Sequence, residues 1–325
     1  MNGADWRPAA GIEVLRQRAR MLARAHDWFA AGRVLAVQTP VLSAAAVSEL
    51  QVESIAAQPM QGPAMYLQTS PEFPMKRLLA AGIGDCYQVC PVFRDGEFGH
   101  HHNPEFTMIE WYRVGFSVEQ MVQDLDQLLR AMIGDLRVLP PTRVHSYRDA
   151  MLEACGVDCR TASPREIEAA LRQQGVAPAP SVDWGLDTWL DLLMGTVVGP
   201  ALGRENPVVV RDYPASQAAL ARLRDDGSGV QVAERFELYL DGVELANGFH
   251  ELSDPLEQRR RFAQDLRNRE QRGQRRAPLD DRFLAALEHG LPDCAGVALG
   301  FDRLVMVTLG LRSVAETIAF PVDRA

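Results

Sequence analysis

Residues 87–113, YQVCPVFRDGEFGHHHNPEFTMIEWYR, put two strand-like halves and a polar turn into one short stretch. Arg94 closes the first half, and carboxylates and aromatics, among them Phe106, Glu110 and Tyr112, recur through the second. A rigid guanidinium at a strand end beside a polar loop suits a phosphate, because its fork of donors matches two oxygens. Carboxylates on the returning strand suit a cation. A site that takes a phosphate and an ammonium together points to activation of an amino acid by a nucleotide.

This run resembles motif 2 of the class II aminoacyl-tRNA synthetases, in the form used by the lysyl enzymes and their relatives. Further segments follow in the family's order. Residues 29–43, FAAGRVLAVQTPVLS, resemble motif 1, with Pro40 at its proline. Residues 69–79, TSPEFPMKRLL, resemble the lysyl-type amino-acid loop, and residues 235–252, RFELYLDGVELANGFHEL, the metal and lysine segment. Residues 296–306, GVALGFDRLVM, resemble motif 3. Ordered motifs spread over nearly the whole chain are far more specific than a lone glycine pattern.

The resemblance implies roles. Arg94 matches the arginine that meets the α-phosphate of ATP, and Arg303 the one that reaches the distal phosphates. Phe106 matches the aromatic that stacks on adenine. Asp95, Gly96, Asn103, Glu244, Leu245 and Gly300 fall on the nucleotide side. Glu237 and Glu244 match acids that bind magnesium, which prefers hard oxygen ligands; their spacing alone would leave them as solvated surface. Gly296, Ala298 and Gly300 alternate along one strand, either letting a flat base approach or allowing close helix–strand packing. RDGEFGH departs from the lysyl pattern at Asp95 and Gly96, with Glu97 one place further on, so the group that meets the adenine amino edge stays open.

Ser70, Pro71, Glu72, Glu110, Tyr112, Asn247, Phe249, Glu251 and Ala298 match positions that line the lysine pocket. A buried ammonium is costly unless it is paired, so several carboxylates select a diamino acid over neutral ones. Glu251 is expected at the side-chain ammonium, with Glu72 and Glu110 nearer the other amino group and Tyr112 as a hydrogen-bonding wall. Lysyl-tRNA synthetases usually carry glycine at the place of Ala298; its methyl would favour an amino group on the β-carbon.

Elements must position these groups. Apolar spacing predicts a helix over residues 12–31, then strands over 33–37 and 64–69. Helices are expected over 73–81, 117–136 and 164–174, the last capped by Ser163 ahead of Pro164. Residues 138–182, broken by prolines, read as an insertion within a single domain spanning residues 1–325. A helical piece at 187–198 and a strand at 207–212 follow. Strands at 230–240 and 243–252 flank Asp241-Gly242, a hairpin signal. A polar helix covers 254–271, and the strand 294–300 runs into a helix near Asp302. Antiparallel pairs with outer helices give an α+β fold, and the resemblance implies the class II synthetase catalytic fold, a mostly antiparallel sheet flanked by helices.

The chain has 325 residues, 47% hydrophobic and 24% charged, with a net charge of −9. That composition suits a globular enzyme and argues against a protein that coats nucleic acid. No apolar run reaches membrane-spanning length and no signal peptide is evident, so a cytoplasmic location is expected. The five cysteines read as reduced thiols, with Cys86 and Cys90 on one buried strand face. The run of His100, His101 and His102 cannot easily ligate one ion from an extended segment. Lys76 is the single lysine, and base composition explains that. Arg259, Arg260, Arg261, Arg267, Arg269, Arg272, Arg275 and Arg276 read as a solvated face, then as a surface for an acidic protein, then for RNA.

Lysyl-tRNA synthetases carry an N-terminal anticodon-binding domain, and the helix leading into motif 1 here begins too early for one. Activation chemistry without that module resembles the bacterial elongation factor P lysine ligases, which join (R)-β-lysine to a lysine side chain of that factor. The implied cofactors are ATP and Mg2+; the implied partners are elongation factor P, lysine or β-lysine, and a second copy through motif 1. Charging of tRNA by a minimal lysyl enzyme is the alternative, and an idle synthetase-like regulator a third class, disfavoured by intact Arg94, Glu237, Glu244 and Arg303.

Overall fold

The computed structural model describes residues 6–177, 184–276 and 278–325. Its strands in chain order are β1 (Leu35–Ala36), β2 (Leu42–Ser43), β3 (Ala56–Ala57), β4 (Met65–Leu67), β5 (Cys86–Phe93) and β6 (Glu105–Val114). Then come β7 (Arg143–Ser146), β8 (Val208–Pro214), β9 (Leu223–Asp225), β10 (Gln231–Leu240), β11 (Val243–His250) and β12 (Cys294–Gly300). The main sheet runs β1-β5-β6-β12-β11-β10-β8-β7, with β9 on β10, and β2-β4-β3 form a small second sheet. The outermost pairs of the main sheet, β1 with β5 and β7 with β8, are parallel. Every other pairing is antiparallel.

One face of the main sheet is closed by helices. Ile12–Ala31 forms over the expected span and buries Met21, Ala25 and Phe29. Phe29 stacks on Tyr87 of β5 at 4.0 Å between centroids. Val118–Ile133 starts at a reciprocal cap between Ser117 and Gln120, which satisfies two backbone donors that the helix end would otherwise leave unpaired. Its Asp124 accepts from Trp111 Nε1 at 3.0 Å and from two nitrogens of Arg113. Phe301–Thr308 completes this layer. The β10–β11 hairpin turns at Asp241 and Gly242, both at positive φ, 53° and 79°, which matches the right-handed twist of its strands.

The opposite face carries a second apolar cluster, from Tyr147, Ile167, Leu190 and Phe283 among others, and leaves its centre to polar residues. The segment at 138–182 supplies β7, an edge of the main sheet itself, and the helices Tyr147–Cys155 and Pro164–Gln173. Residues 178–182 of it lie outside the described residues. The piece at 187–198 becomes a helix, Leu186–Leu193, that widens into a π turn over Met194–Val198. The strand expected over 64–69 forms as β4, whereas its partners β2 and β3, two residues each, and the helix Asp281–His289 are not read from the sequence.

The arginine run is not uniformly solvated. Arg269, on the helix Pro255–Gln271, is 1% exposed. Its guanidinium donates to the carbonyls of Glu49, Val52 and Arg275 and pairs with Glu53. It anchors the loop that leads toward the small sheet, a role no local pattern announces. Among the described residues, no helix is long and apolar enough to cross a membrane.

Candidate active site

The open face of the sheet sets the site. Register across β6, β12, β11 and β10 aligns Glu110, Ala298, Asn247 and Glu237 in one row, and Tyr112, Gly296, Phe249 and Arg235 in the next. Paired residues in a sheet project to the same side. The β10–β11 register shifts between Leu238 and Tyr239, so that Tyr239 faces Glu244 and Leu245 is left without a partner. This bulge turns Glu244 to the face of Glu237, where strict alternation from Asn247 would have hidden it.

At one end of the face the acids gather. Ser70 Oγ donates to Glu110 Oε2 at 2.6 Å, and Tyr112 Oη donates to Glu110 Oε1 at 2.8 Å. Ser70 also accepts from the backbone N–H of Glu72 at 3.0 Å, which ties the start of the helix Glu72–Ala80 to the pocket. Lys76, 1% exposed, donates to Glu72 Oε1 at 2.5 Å. Its Nζ also lies 2.5 Å from Glu251 Oε2, a second ion pair. A Cβ at Gly296 would come within 2.3 Å of the Tyr112 ring and 2.6 Å of Glu251 Oε1. Glycine is therefore what lets both side chains lie over β12.

Burial governs the protonation of this cluster. It pushes Glu110 up to about 7, with Glu72 adding to the rise and the hydrogen bonds from Ser70 and Tyr112 opposing it. It pushes Glu251 up to about 8 against the pull of Lys76. Burial disfavours the charged form of Lys76, but Glu251 and Glu72 outweigh it and keep the ammonium charged. Such shifts follow from desolvation of like charges held close together.

The other end presents arginines. Arg303, on the helix after β12, donates through Nε to the His101 carbonyl at 3.1 Å and through Nη1 to the Glu244 carbonyl at 3.0 Å. Its Nη2 lies 2.8 Å from His102 Nε2. Burial and then Arg303 lower the pKa of His102, so its imidazole stays neutral. Arg94 sits 5.1 Å over the Phe106 ring and 3.4 Å from Glu97 Oε1. Asp95 is exposed on the β5–β6 loop, and Gly96 turns beside it with φ 76°. Asn103 is buried and braced: its amide donates to the Glu105 carbonyl at 2.6 Å and its oxygen accepts from Val322. A Cβ at Gly300 would meet only ordinary contacts, at 3.7 Å from the Leu245 carbonyl and from Arg303 Cδ. Packing within the protein therefore does not demand glycine there, and the strand lies open for a flat ligand.

Glu237 and Glu244 face the cleft between these ends. Glu237 accepts from Arg235 Nη2 at 2.5 Å and from Tyr239 Oη at 2.6 Å. Glu244 keeps 43% of its side chain open, yet enclosure by the surrounding protein and the charge of Glu237 push its pKa up. Arg235 Nε also holds Asn247 Oδ1 at 3.2 Å. Among the described residues, no group of three or more His, Cys, Asp or Glu is arranged to hold a metal ion.

Three participants escape motif-by-motif reading: Lys76, Arg235 and His102. The signals available for them were the solitary lysine, an arginine opening the hairpin segment and the last of three histidines. None of these states its partner.

The family described as tRNA synthetases class II (D, K and N) matches residues 3–324. The elongation factor P–(R)-β-lysine ligase of Salmonella typhi is 43% identical over 327 residues, covering 99% of each chain. The proteins of that name from Pseudoalteromonas translucida and Vibrio vulnificus are each 45% identical, covering 98% of each chain.

Proposed function

The chain belongs to the class II tRNA synthetase family of the aspartate, lysine and asparagine type, and from that premise we propose that it activates (R)-β-lysine with ATP and transfers it to a lysine side chain of elongation factor P. The observation that carries this reading is the cluster of buried Glu110 and Glu251 with half-buried Glu72, on the sheet face that Arg94 and Arg303 also border. It pairs an anion-rich pocket with an arginine-lined cleft, as joining a diamino acid to a nucleotide requires.

Two ammonium groups enter among the acids, and the substrate carboxylate is left facing Arg94. The carboxylate attacks the α-phosphorus, a C–O–P link forms, and the bond to pyrophosphate breaks. Arg94 holds the charge that builds on the α-phosphate, and Arg303 draws the departing pyrophosphate away. Fixed positive charge placed where negative charge develops lowers the barrier to that step. The lysine amine of the acceptor protein then attacks the mixed anhydride and AMP leaves. Holding the adenylate and the amine together removes the entropy of their meeting in solution.

Magnesium fits the two acids of the cleft. Glu237 and Glu244 offer hard oxygens of like charge, and a divalent cation would relieve the repulsion that raises Glu244. It would share Glu237 with Arg235 and Tyr239. Bound there, the ion would neutralise phosphate charge. The same reading makes the enzyme a cytoplasmic homodimer joined through residues 29–43, which light scattering over a range of concentrations tests.

The deciding experiment incubates the protein with ATP, labelled α- or β-lysine, and either elongation factor P or total tRNA. Label is expected on the protein, strongest with (R)-β-lysine. Label on tRNA with none on the protein would overturn the assignment.

A further inference from the structure

Lys76 has no task in the activation chemistry, yet it sits at the centre of the pocket. It is the single lysine of the chain, 1% exposed, within 2.5 Å of both Glu72 and Glu251. The pocket gathers three carboxylates, Glu72, Glu110 and Glu251. With Lys76 as their counter-charge, two negative charges remain. A diamino acid brings two ammonium groups, while its carboxylate turns to the arginines. The bound pocket is then balanced, and a buried charge left unbalanced is costly. The same side chain joins two elements: it fixes Glu72 one turn away on its own helix and reaches Glu251 just beyond β11.

We propose that Lys76 is a positioning and specificity-determining residue: by neutralising one of the three carboxylates and tying Glu72 to Glu251, it sets the pocket to receive two ammonium groups. This rests on the reading of the pocket as the diamino-acid site. The groups facing the cluster are Glu72 and Lys76 on the helix, Glu110 and Tyr112 on β6, Cys86 on β5, Cys294 on β12 and Glu251 itself, with Glu49, raised by burial and then by Glu72, behind Glu72. Tyr112 and both thiols are pushed upward by burial and stay neutral, which leaves Glu110 and Glu251 to titrate near neutrality. Glu110 near 7 and Glu251 near 8 hold protons in the empty pocket. A dication displaces those protons, so affinity for lysine must rise as pH climbs through that window.

The test compares wild type, Lys76→Met and Lys76→Arg in lysine-dependent exchange of pyrophosphate into ATP across that range, with protons released on binding counted by calorimetry in two buffers. Lys76→Met leaves a third uncompensated acid. Its KM for lysine at neutral pH is expected to rise at least about tenfold, with kcat within about threefold, and the gap to narrow as pH rises. Lys76→Arg, which keeps the charge, is expected to recover most of the loss. An unchanged KM and pH profile in Lys76→Met overturns the proposal, as does a loss confined to kcat. If Lys76→Met does not fold, wild type and Lys76→Arg decide: both must release protons on binding lysine near neutral pH, and binding without release overturns the proposal. A wild type that shows no lysine-dependent exchange refutes the pocket assignment itself instead.

Discussion

The two ends of the site are built on opposite plans. At the acid end Ser70, Tyr112 and Lys76 already satisfy much of Glu110, Glu72 and Glu251, and Lys76 and Glu251 are almost wholly buried. At the arginine end the charged groups rest on the β5–β6 loop: Arg303 on the His101 carbonyl and His102, and Arg94 beside Glu97. Those side chains stay partly open to solvent, where an ion pair is worth little. On the proposed reading the amino-acid end is preorganised and discriminates, and the nucleotide end is parked on contacts that a triphosphate would replace.

The comparison breaks most easily at the arginines. On that reading, replacing Arg303 or Arg94 by Ala removes charge aimed at phosphates and only weak contacts within the protein. Exchange is expected to fall by about 10²–10³-fold, with thermal stability changed by less than about 1 kcal/mol. A large loss of stability would show that these arginines are structural.

The acid end should respond to pH instead. Glu110 and Glu251 have folded pKa values of about 7 and about 8, above the value near 4.3 of an unfolded Glu. The folded state therefore binds more protons than the unfolded state between these limits, and stability is lost as pH rises through them. The ligand-free protein is expected to weaken by about 6 kcal/mol between roughly pH 5 and 8, and saturating lysine to flatten that slope. Denaturant titrations at several pH values, with and without lysine, check both statements. A slope that lysine leaves intact would place the titrating groups elsewhere.

The smallest effect concerns the wall between the ends. Ala298 lies between Glu110 and Asn247 in register, and a methyl in a pocket discriminates by about 1–3 kcal/mol. Ala298→Gly is expected to shift the ratio of kcat/KM for α- over β-lysine upward by about tenfold, without loss of fold. Equal relative use of the isomers before and after the change would remove Ala298 from the specificity argument.

Much of this was readable locally. The helix Ile12–Ala31, the strand Cys294–Gly300 and the hairpin at Asp241-Gly242 rest on periodicity and turn chemistry, which neighbours in sequence decide. The ordered motifs likewise pointed to the family, to the sheet and to the chemistry, because residue types and their spacing are properties of the chain alone.

Other features became visible only in three dimensions. Alternation would have hidden Glu244 from Glu237, and a bulge set by pairing with β10 brings it round. Composition explained Lys76 as a relic, whereas two acids from separate elements make it the counter-charge of the pocket. Arg269 belonged to a basic run until the carbonyls of a loop more than 200 residues away enclosed it. For Lys76 and Arg269 a partner lies far off along the chain, and for Glu244 the pairing of two strands decides the face. Sequence states which charges a protein owns, and only folding decides which of them are taken out of water together.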